Sequence, residues 1–171
     1  AALVTLVAGI SAAAHAQTAA DLLARGIRAS SNLEYDSAAV LLRAALGRPA
    51  PSALPDTARV QALMYLGATE FFRDNRDSAT VAFRRLLLIA PRFRPDLLVF
   101  PPEVSSLFEE VRIGTPAVAV SVAPVTDIRT AGDRLSARLY AASLHMITAS
   151  IVRPGGRAVR TLYTGAIGDS L

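Results

Sequence analysis

An internal repeat is the feature that most constrains how this chain of 171 residues can fold. Gly26 and Ala38 stand twelve positions apart, and Gly67 and Ala79 repeat both residue types at the same distance. A large apolar residue follows each alanine by four positions, and a proline closes each copy. The repeated positions are Gly26, Ala38, Leu42 and Pro49 in the first copy and Gly67, Ala79, Phe83 and Pro91 in the second. Such self-similarity predicts paired helices that stack to bind a partner.

Apolar residues recur at helical spacing through both copies and once more after them. Asp56 or Thr57 should cap the third helix, and Asp74 and Asp77 should cap around the turn before the fourth. The fifth helix should cover the apolar face that two hairpins leave open, with Val104, Leu107, Phe108 and Val111 buried. The predicted helices run from Thr18 to Ser31, from Tyr35 to Gly47, from Asp56 to Phe72, from Ser78 to Ala90, and from the Pro101-Pro102 pair to Arg112.

The second copy resembles a tetratricopeptide repeat, because Leu66-Gly67, Ala79, Phe83, Leu87 and Pro91 stand where that family places its leucine-glycine pair, alanine, aromatic residue, leucine and final proline. The first copy has Gly26, Tyr35, Ala38, Leu42, Ala45 and Leu46 in register but Arg25 in place of leucine. The resemblance covers about 19–91 and implies a superhelical stack of hairpins. Small residues at facing positions would let the helices approach closely. Two unrelated hairpins in a generic bundle are the alternative.

The sequence changes texture after Gly114-Thr115-Pro116, where alternation of apolar and small residues replaces the helical period. Alternating runs predict four short strands, at 118–122, 135–141, 146–152 and 159–163. Arg153-Pro-Gly-Gly156 should form the tight turn of a hairpin between the last two. The Gly-Gly turn followed by Ala158 to Gly165 is similar to the immunoglobulin-like repeat of flagellar hook-capping proteins. That resemblance covers about 118–171, lacks the closing strands and implies a structural module.

The predicted fold class is therefore α + β in separate modules, with α-helical hairpins of the tetratricopeptide type followed by an incomplete antiparallel β-sandwich. We expect a signal peptide over 1–16, the helical domain over 17–113, a linker at 114–116 and the partial sandwich over 117–171. The signal is predicted because an apolar run leads to small residues in an Ala-x-Ala arrangement at Ala14-His15-Ala16. An uncleaved anchor helix is the alternative. The cleaved protein would be periplasmic or secreted.

Composition limits the partners. The formal charge is +4, but all 18 basic residues are arginine and they are spread among 14 acids, so we expect no nucleic-acid partner and no membrane contact beyond the export signal. The densest basic group, Arg84, Arg85, Arg92 and Arg94, is best explained as a solvated helix face. With no cysteine, the chain has neither disulfides nor thiolate metal sites.

No set of residues predicts catalysis, a metal site or a cofactor. His145 is the one histidine after the signal segment, and we expect it to be structural or exposed because no Ser-Asp pair stands at a recognised spacing. Glu109 and Glu110 are adjacent in a helix, so they face different directions and cannot share a proton. We therefore expect that the chain is not an enzyme.

The repeat instead implies an exported scaffold that binds a protein or peptide partner. In the expected register, the first helix of each hairpin lines a methionine-containing groove suited to a partner helix. The same residues could equally be buried against the next helix. A structural or assembly component of the cell envelope, or the accessory region of an enzyme whose catalytic part is missing, are the alternative functions. The candidate partner-binding residues are Leu23, Ile27, Ser30, Gln61, Met64, Ala68 and Phe71.

Overall fold

The computed structural model describes residues 18–122 and 137–168. These residues form five α-helices followed by four β-strands, so the predicted α + β order with N-terminal helices is confirmed. The expected signal peptide and Leu135 of the second predicted strand lie outside the described residues. The elements are α1 (Ala19–Ser31), α2 (Tyr35–Leu46), α3 (Asp56–Phe72), α4 (Arg76–Ile89), α5 (Pro102–Ile113), β1 (Val118–Val122), β2 (Ala137–Ala141), β3 (His145–Val152) and β4 (Ala158–Ile167).

The helices α1 and α2 form one hairpin and α3 and α4 form another, and the same glycine contact holds each pair together. A Cβ atom on Gly26 would lie 2.8 Å from Leu42 Cγ, and one on Gly67 would lie 2.7 Å from Phe83 Cζ. Because real Cβ atoms do not approach other atoms so closely, only glycine permits these helix crossings. Ala38, at the same helix pair, is fully buried.

Two helix starts differ from the sequence prediction. The fourth helix begins at Arg76, two residues before the predicted Ser78, and its cap is Asn75, whose side chain accepts a hydrogen bond from Ser78 N at 3.3 Å. Asp74 adopts a left-handed φ of 58° and does not cap. The third helix follows Pro55 with no side-chain cap, so the predicted cap at Asp56 or Thr57 is wrong. Proline at this position supplies extended geometry instead of a hydrogen bond.

The fifth helix completes the core. Its aromatic side chain Phe108 packs edge-on against Phe83 of α4, with ring centroids 5.3 Å apart, and against Phe93 at 5.9 Å. The apolar face that the second hairpin presents is thus covered, as the sequence predicts. The four residues expected to be buried are buried: Val104, Leu107, Phe108 and Val111.

The strands form two antiparallel two-stranded sheets, β1 with β2 and β3 with β4. In the first, Val118 pairs with Ala141; in the second, His145 pairs with Ile167. The predicted hairpin is present, and Gly155 and Gly156 in its turn have positive φ angles. Neither sheet has a third strand within 18–122 and 137–168, so the sandwich remains a prediction.

The segment after α5 joins the helices to the strands through hydrogen bonds. Thr115 is buried, and its hydroxyl donates to Val111 O at 2.6 Å. The Ser143 hydroxyl donates to Ile113 O at 3.1 Å, and Ala142 N donates to Ala117 O at 2.8 Å. Thr115 and Ala117 are therefore packed between the helical part and the strands, which fixes the position of the chain as it enters β1.

Replacing Gly67 with alanine should lower the free energy of unfolding by about 2 kcal/mol, because overpacking against the buried Phe83 ring outweighs the gain in helix propensity. Urea denaturation followed by circular dichroism measures this. The matched control is Gly114→Ala, whose Cβ would lie 3.6 Å from Glu110 O and should change stability by less than about 0.5 kcal/mol. Equal stability of Gly67→Ala and the parent protein would show that the crossing does not need glycine.

The start of α1 should show a pH-dependent contribution to stability. Thr18 and Asp21 form a capping box, and the hydrogen bonds from Thr18 lower the pKa of Asp21 from its ordinary value. A depressed carboxyl pKa stabilises the fold at pH values above the unfolded-state pKa, and that contribution is lost as pH falls through the folded-state pKa. NMR titration should find the Asp21 pKa below its ordinary value in the parent protein and shifted upward in Thr18→Ala.

Candidate functional site

An apolar groove of about 220 Å³ lies between the C-terminal end of α1, the outer side of α3 and the loop before α5. Aromatic rings form much of its wall, and we call it the aromatic groove. The residues that line it are Ser30, Ser31, Leu33, Tyr35, Tyr65, Ala68, Phe72, Val99, Phe100 and Pro101.

Two aromatic pairs build the walls of the aromatic groove. The rings of Tyr35 and Phe72 are stacked with their centroids 5.0 Å apart, which joins the start of α2 to the end of α3. Tyr65 meets Phe100 edge-on at 5.2 Å, which joins α3 to the loop before α5. Aromatic pairs at these distances add to the energy of burial, so the walls are held at a defined separation.

The turn between α1 and α2 holds a leucine in an unfavourable backbone conformation beside the groove. Leu33 has a φ of 63° and a side chain that is 70% exposed. Its N–H donates to Ser30 O, and Glu34 N–H donates to Ala29 O, which is the hydrogen-bond pattern of a Schellman motif. Glycine or asparagine usually occupies this position, because a bulky side chain there costs about 1–2 kcal/mol.

The turn between α3 and α4 repeats this geometry with a different residue. Asp74 has a φ of 58°, its N–H donates to Phe71 O, and Asn75 N–H donates to Glu70 O. Aspartate tolerates the left-handed region better than leucine does. The repeat thus extends to the backbone of its turns, and Leu33 is the member that local backbone preference does not explain. Strain of this kind is concentrated at functional sites.

The loop before α5 presents three consecutive apolar side chains to solvent. Leu97, Leu98 and Val99 are 73%, 97% and 52% exposed. Asp96 holds this turn, because its side chain accepts a hydrogen bond from Leu98 N at 2.9 Å and its carbonyl accepts from Val99 and Phe100 N–H. The exposure is therefore a property of an ordered turn.

A buried ion-pair network lies behind one wall of the groove. The Glu70 carboxylate, with its side chain 1% exposed, pairs with Arg43 at 2.7 Å and with Arg73 at 3.0 Å. Arg73 also pairs with Asp36 at 2.7 Å, and that hydrogen bond raises the pKa of Arg73 above its ordinary value. Asp36 and Arg73 each follow a member of the stacked Tyr35–Phe72 pair in sequence. The Asp36–Arg73 ion pair therefore joins the start of α2 to the end of α3, the same two helix ends that the stack joins.

The residues expected to bind a partner are divided between the core and the surface. Leu23, Met64 and Ala68 are buried within this chain, so their expected exposure in a groove is wrong, and the alternative of burial against a neighbouring helix holds for them. Close packing of α1 and α3 excludes solvent from these positions. Ala68 still forms part of the groove floor through its small surface.

The remaining candidates lie nearer to solvent. Ser30 lines the aromatic groove and its hydroxyl accepts a hydrogen bond from the Thr69 hydroxyl at 3.3 Å. Ile27 is partly buried against the core, and Gln61 is exposed on α3. Phe71 contacts Phe72 with ring centroids 5.7 Å apart. Leu33 and the apolar loop are not among the predicted site residues, although the run Leu97-Leu98-Val99 beside prolines is a visible signal in the sequence.

His145 lies beside Ser143, but their geometry is not that of a nucleophile and its base. The imidazole Nε2 is 3.1 Å from Thr115 O and 2.9 Å from Ser143 Oγ. A carbonyl oxygen only accepts, so Nε2 carries the hydrogen, and the Ser143 hydroxyl donates its own to Ile113 O. A base nitrogen would have to accept the serine proton instead. His145 thus contributes to the junction between helices and strands.

The other charged candidates have structural partners. Arg92 lies 4.7 Å from the centre of the Tyr140 ring, and Glu110 pairs with Arg76 at 2.5 Å. Glu109 accepts a hydrogen bond from Arg112 at 2.6 Å. Within 18–122 and 137–168, no three acidic, histidine or cysteine side chains come together as metal ligands, and no helix is long and apolar enough to cross a bilayer.

No protein-family model, curated protein or solved structure matches this chain. The geometry of the described residues is therefore the basis for any statement about function.

Replacing Glu70 with glutamine should lower the free energy of unfolding by about 2 kcal/mol, because two guanidinium groups lose the buried charge that compensates them. Replacing Asp36 with asparagine should cost less than about 1 kcal/mol, because the Asp36 side chain is 91% exposed. Chemical denaturation of both variants at neutral pH checks the ranking. Equal losses would mean that burial does not set the strength of this network.

Proposed function

We propose that the chain is an exported protein-interaction module whose helical hairpins, of the tetratricopeptide type, bind a short apolar segment of a partner protein in the aromatic groove. One observation carries this proposal: the groove is bordered by large apolar side chains that are ordered and exposed, including Leu33, Phe72 and Val99. Contiguous exposed apolar surface marks interaction sites on proteins.

The unfavourable backbone of Leu33 and the exposure of Leu98 support a binding role. Leu33 is kept in a left-handed conformation that disfavours leucine, and Leu98 is almost completely exposed although its turn is held by Asp96. Neither arrangement contributes to the core of this chain. Burial of a large apolar side chain by a partner gives about 1.5–3 kcal/mol, so an occupant of the groove that covers Leu33 would offset its unfavourable backbone conformation.

The chemistry of the lining favours a peptide segment as the occupant. Apolar and aromatic side chains surround a few polar groups, among them the hydroxyls of Ser30 and Tyr35, which is the composition of peptide-binding grooves. The hairpin stack supplies a rigid base, because the Glu70 network links α2 to α3. A groove fixed in this way does not have to be ordered when the partner binds, so more of the contact energy appears as affinity.

Selection of short random peptides displayed on phage against the purified protein tests the proposal. We expect enrichment of apolar sequences whose binding shifts the NMR signals of groove residues. The double variant Phe72→Ser and Val99→Asp should weaken binding of a selected peptide at least about tenfold, because it removes two apolar contacts of the groove.

The matched control is the double variant Val81→Asp and Leu88→Asp on α4. These side chains are 54% and 63% exposed, but they do not line the aromatic groove. Binding should be unchanged in this control. Selected peptides that bind both double variants and the parent protein equally, or that shift signals away from the groove, would exclude the groove as the docking site.

A further inference from the structure

All the arginine, lysine, aspartate and glutamate positions of the hairpin of β3 and β4 are arginine. Residues 145–168 contain Arg153, Arg157 and Arg160 and no aspartate or glutamate, although the whole chain has 14 acids. The three arginines are exposed, and none of them forms an ion pair with another described residue. We call residues 145–168 the basic ribbon.

Two of the arginines flank the turn at the tip of the basic ribbon. Arg153 N donates to Arg157 O at 3.0 Å across the turn, and Gly156 N donates to Arg153 O at 2.9 Å. Like charges held across a hairpin repel, and no described acid offsets them. A cleft of about 240 Å³ lies between them, lined also by Ala158 and Val159. An external anion would remove this repulsion.

Apolar side chains are interleaved with the arginines. Ile151 is directly opposite Arg160 in the register, and Val152 precedes Arg153 in the chain. The four large aliphatic side chains near the tip are half exposed or more: Ile151 (50%), Val152 (57%), Val159 (53%) and Leu162 (60%). Both faces of the hairpin are exposed near the tip, whereas Ile147 and Ala149 nearer the base are partly buried. A two-stranded hairpin is at best marginally stable by itself, so burial of the four aliphatic side chains by a partner would stabilise the tip.

We propose that the basic ribbon binds the surface of a bilayer that contains anionic lipids. The arginines would lie among the phosphates of the headgroups, and the aliphatic side chains would enter the boundary between headgroups and acyl chains. An anionic bilayer surface would thus neutralise the arginines and also remove the aliphatic side chains from water. A nucleic acid would neutralise the arginines but leave the aliphatic side chains in water, which is why lipid is the better match.

A membrane contact at the basic ribbon differs from the expectation of no membrane contact, which was based on arginines spread along the whole chain. The structure brings Arg153, Arg157 and Arg160 to one end of one hairpin. The proposed lipid-binding site shares no residue with the aromatic groove, because the groove is built from helices and the loop before α5. Either proposal can fail without the other.

Co-sedimentation of the full chain with phosphatidylcholine vesicles that do or do not contain phosphatidylglycerol tests the inference. We expect binding only to the anionic vesicles, weakening as salt is added. The triple variant Arg153→Gln, Arg157→Gln and Arg160→Gln should lower the partition coefficient on the order of a hundredfold. The triple lysine variant at these positions should retain binding, because it preserves the charge.

The matched control removes the same charge elsewhere, by Arg25→Gln, Arg48→Gln and Arg84→Gln, three exposed positions of the helical part. Binding close to that of the parent protein supports the ribbon as the site, and a loss equal to that of the ribbon variant would overturn it. The variant Ile151→Ser and Leu162→Ser should weaken vesicle binding at least about fivefold while leaving binding to a DNA duplex unchanged. Tighter binding to the duplex than to anionic vesicles would identify a nucleic-acid surface and reject the lipid.

Discussion

The close approach of paired helices at two glycines is the constraint on which the helical part depends. Gly26 makes room for Leu42, and Gly67 makes room for the Phe83 ring. Because the side chain of one helix occupies the space where the other has none, this contact sets how closely the two helices of each hairpin approach. Phe83 then contacts Phe108 of α5, so the same contact also places the helix that closes the core.

The groove follows from this packing. With both hairpins fixed, α1 and α3 lie side by side, and the Tyr35–Phe72 stack joins the turn of one hairpin to the end of the next helix. The buried carboxylate of Glu70 is retained between two guanidinium groups, which holds α2 against α3 from the inside. The wall of the groove that contains Tyr35 and Phe72 is therefore held by ring stacking on the groove side and by the Glu70 ion pairs behind it.

The helices and the hairpin turn could be predicted because their signals are local. Apolar spacing marks a helix face within a few residues, and consecutive glycines mark a turn. The burial of Glu70 could not be predicted, since a lone glutamate in a helix is normally solvated and its partner Arg43 lies in a different helix. The cap at Asn75 was missed because neighbouring aspartates offered the same chemistry, and only the left-handed backbone of Asp74 distinguishes them.

The site was harder to predict than the fold. Repeat register indicated which helices approach each other, but it did not show how closely, so Leu23 and Met64 were expected at a surface that their own packing closes. Leu33 was invisible, because leucine does not signal a left-handed turn. Its counterpart Asp74 has the same backbone conformation, which aspartate adopts with less strain than leucine. The corners of the hairpins are thus positions where the side chain can change from apolar to charged while the backbone of the turn stays the same.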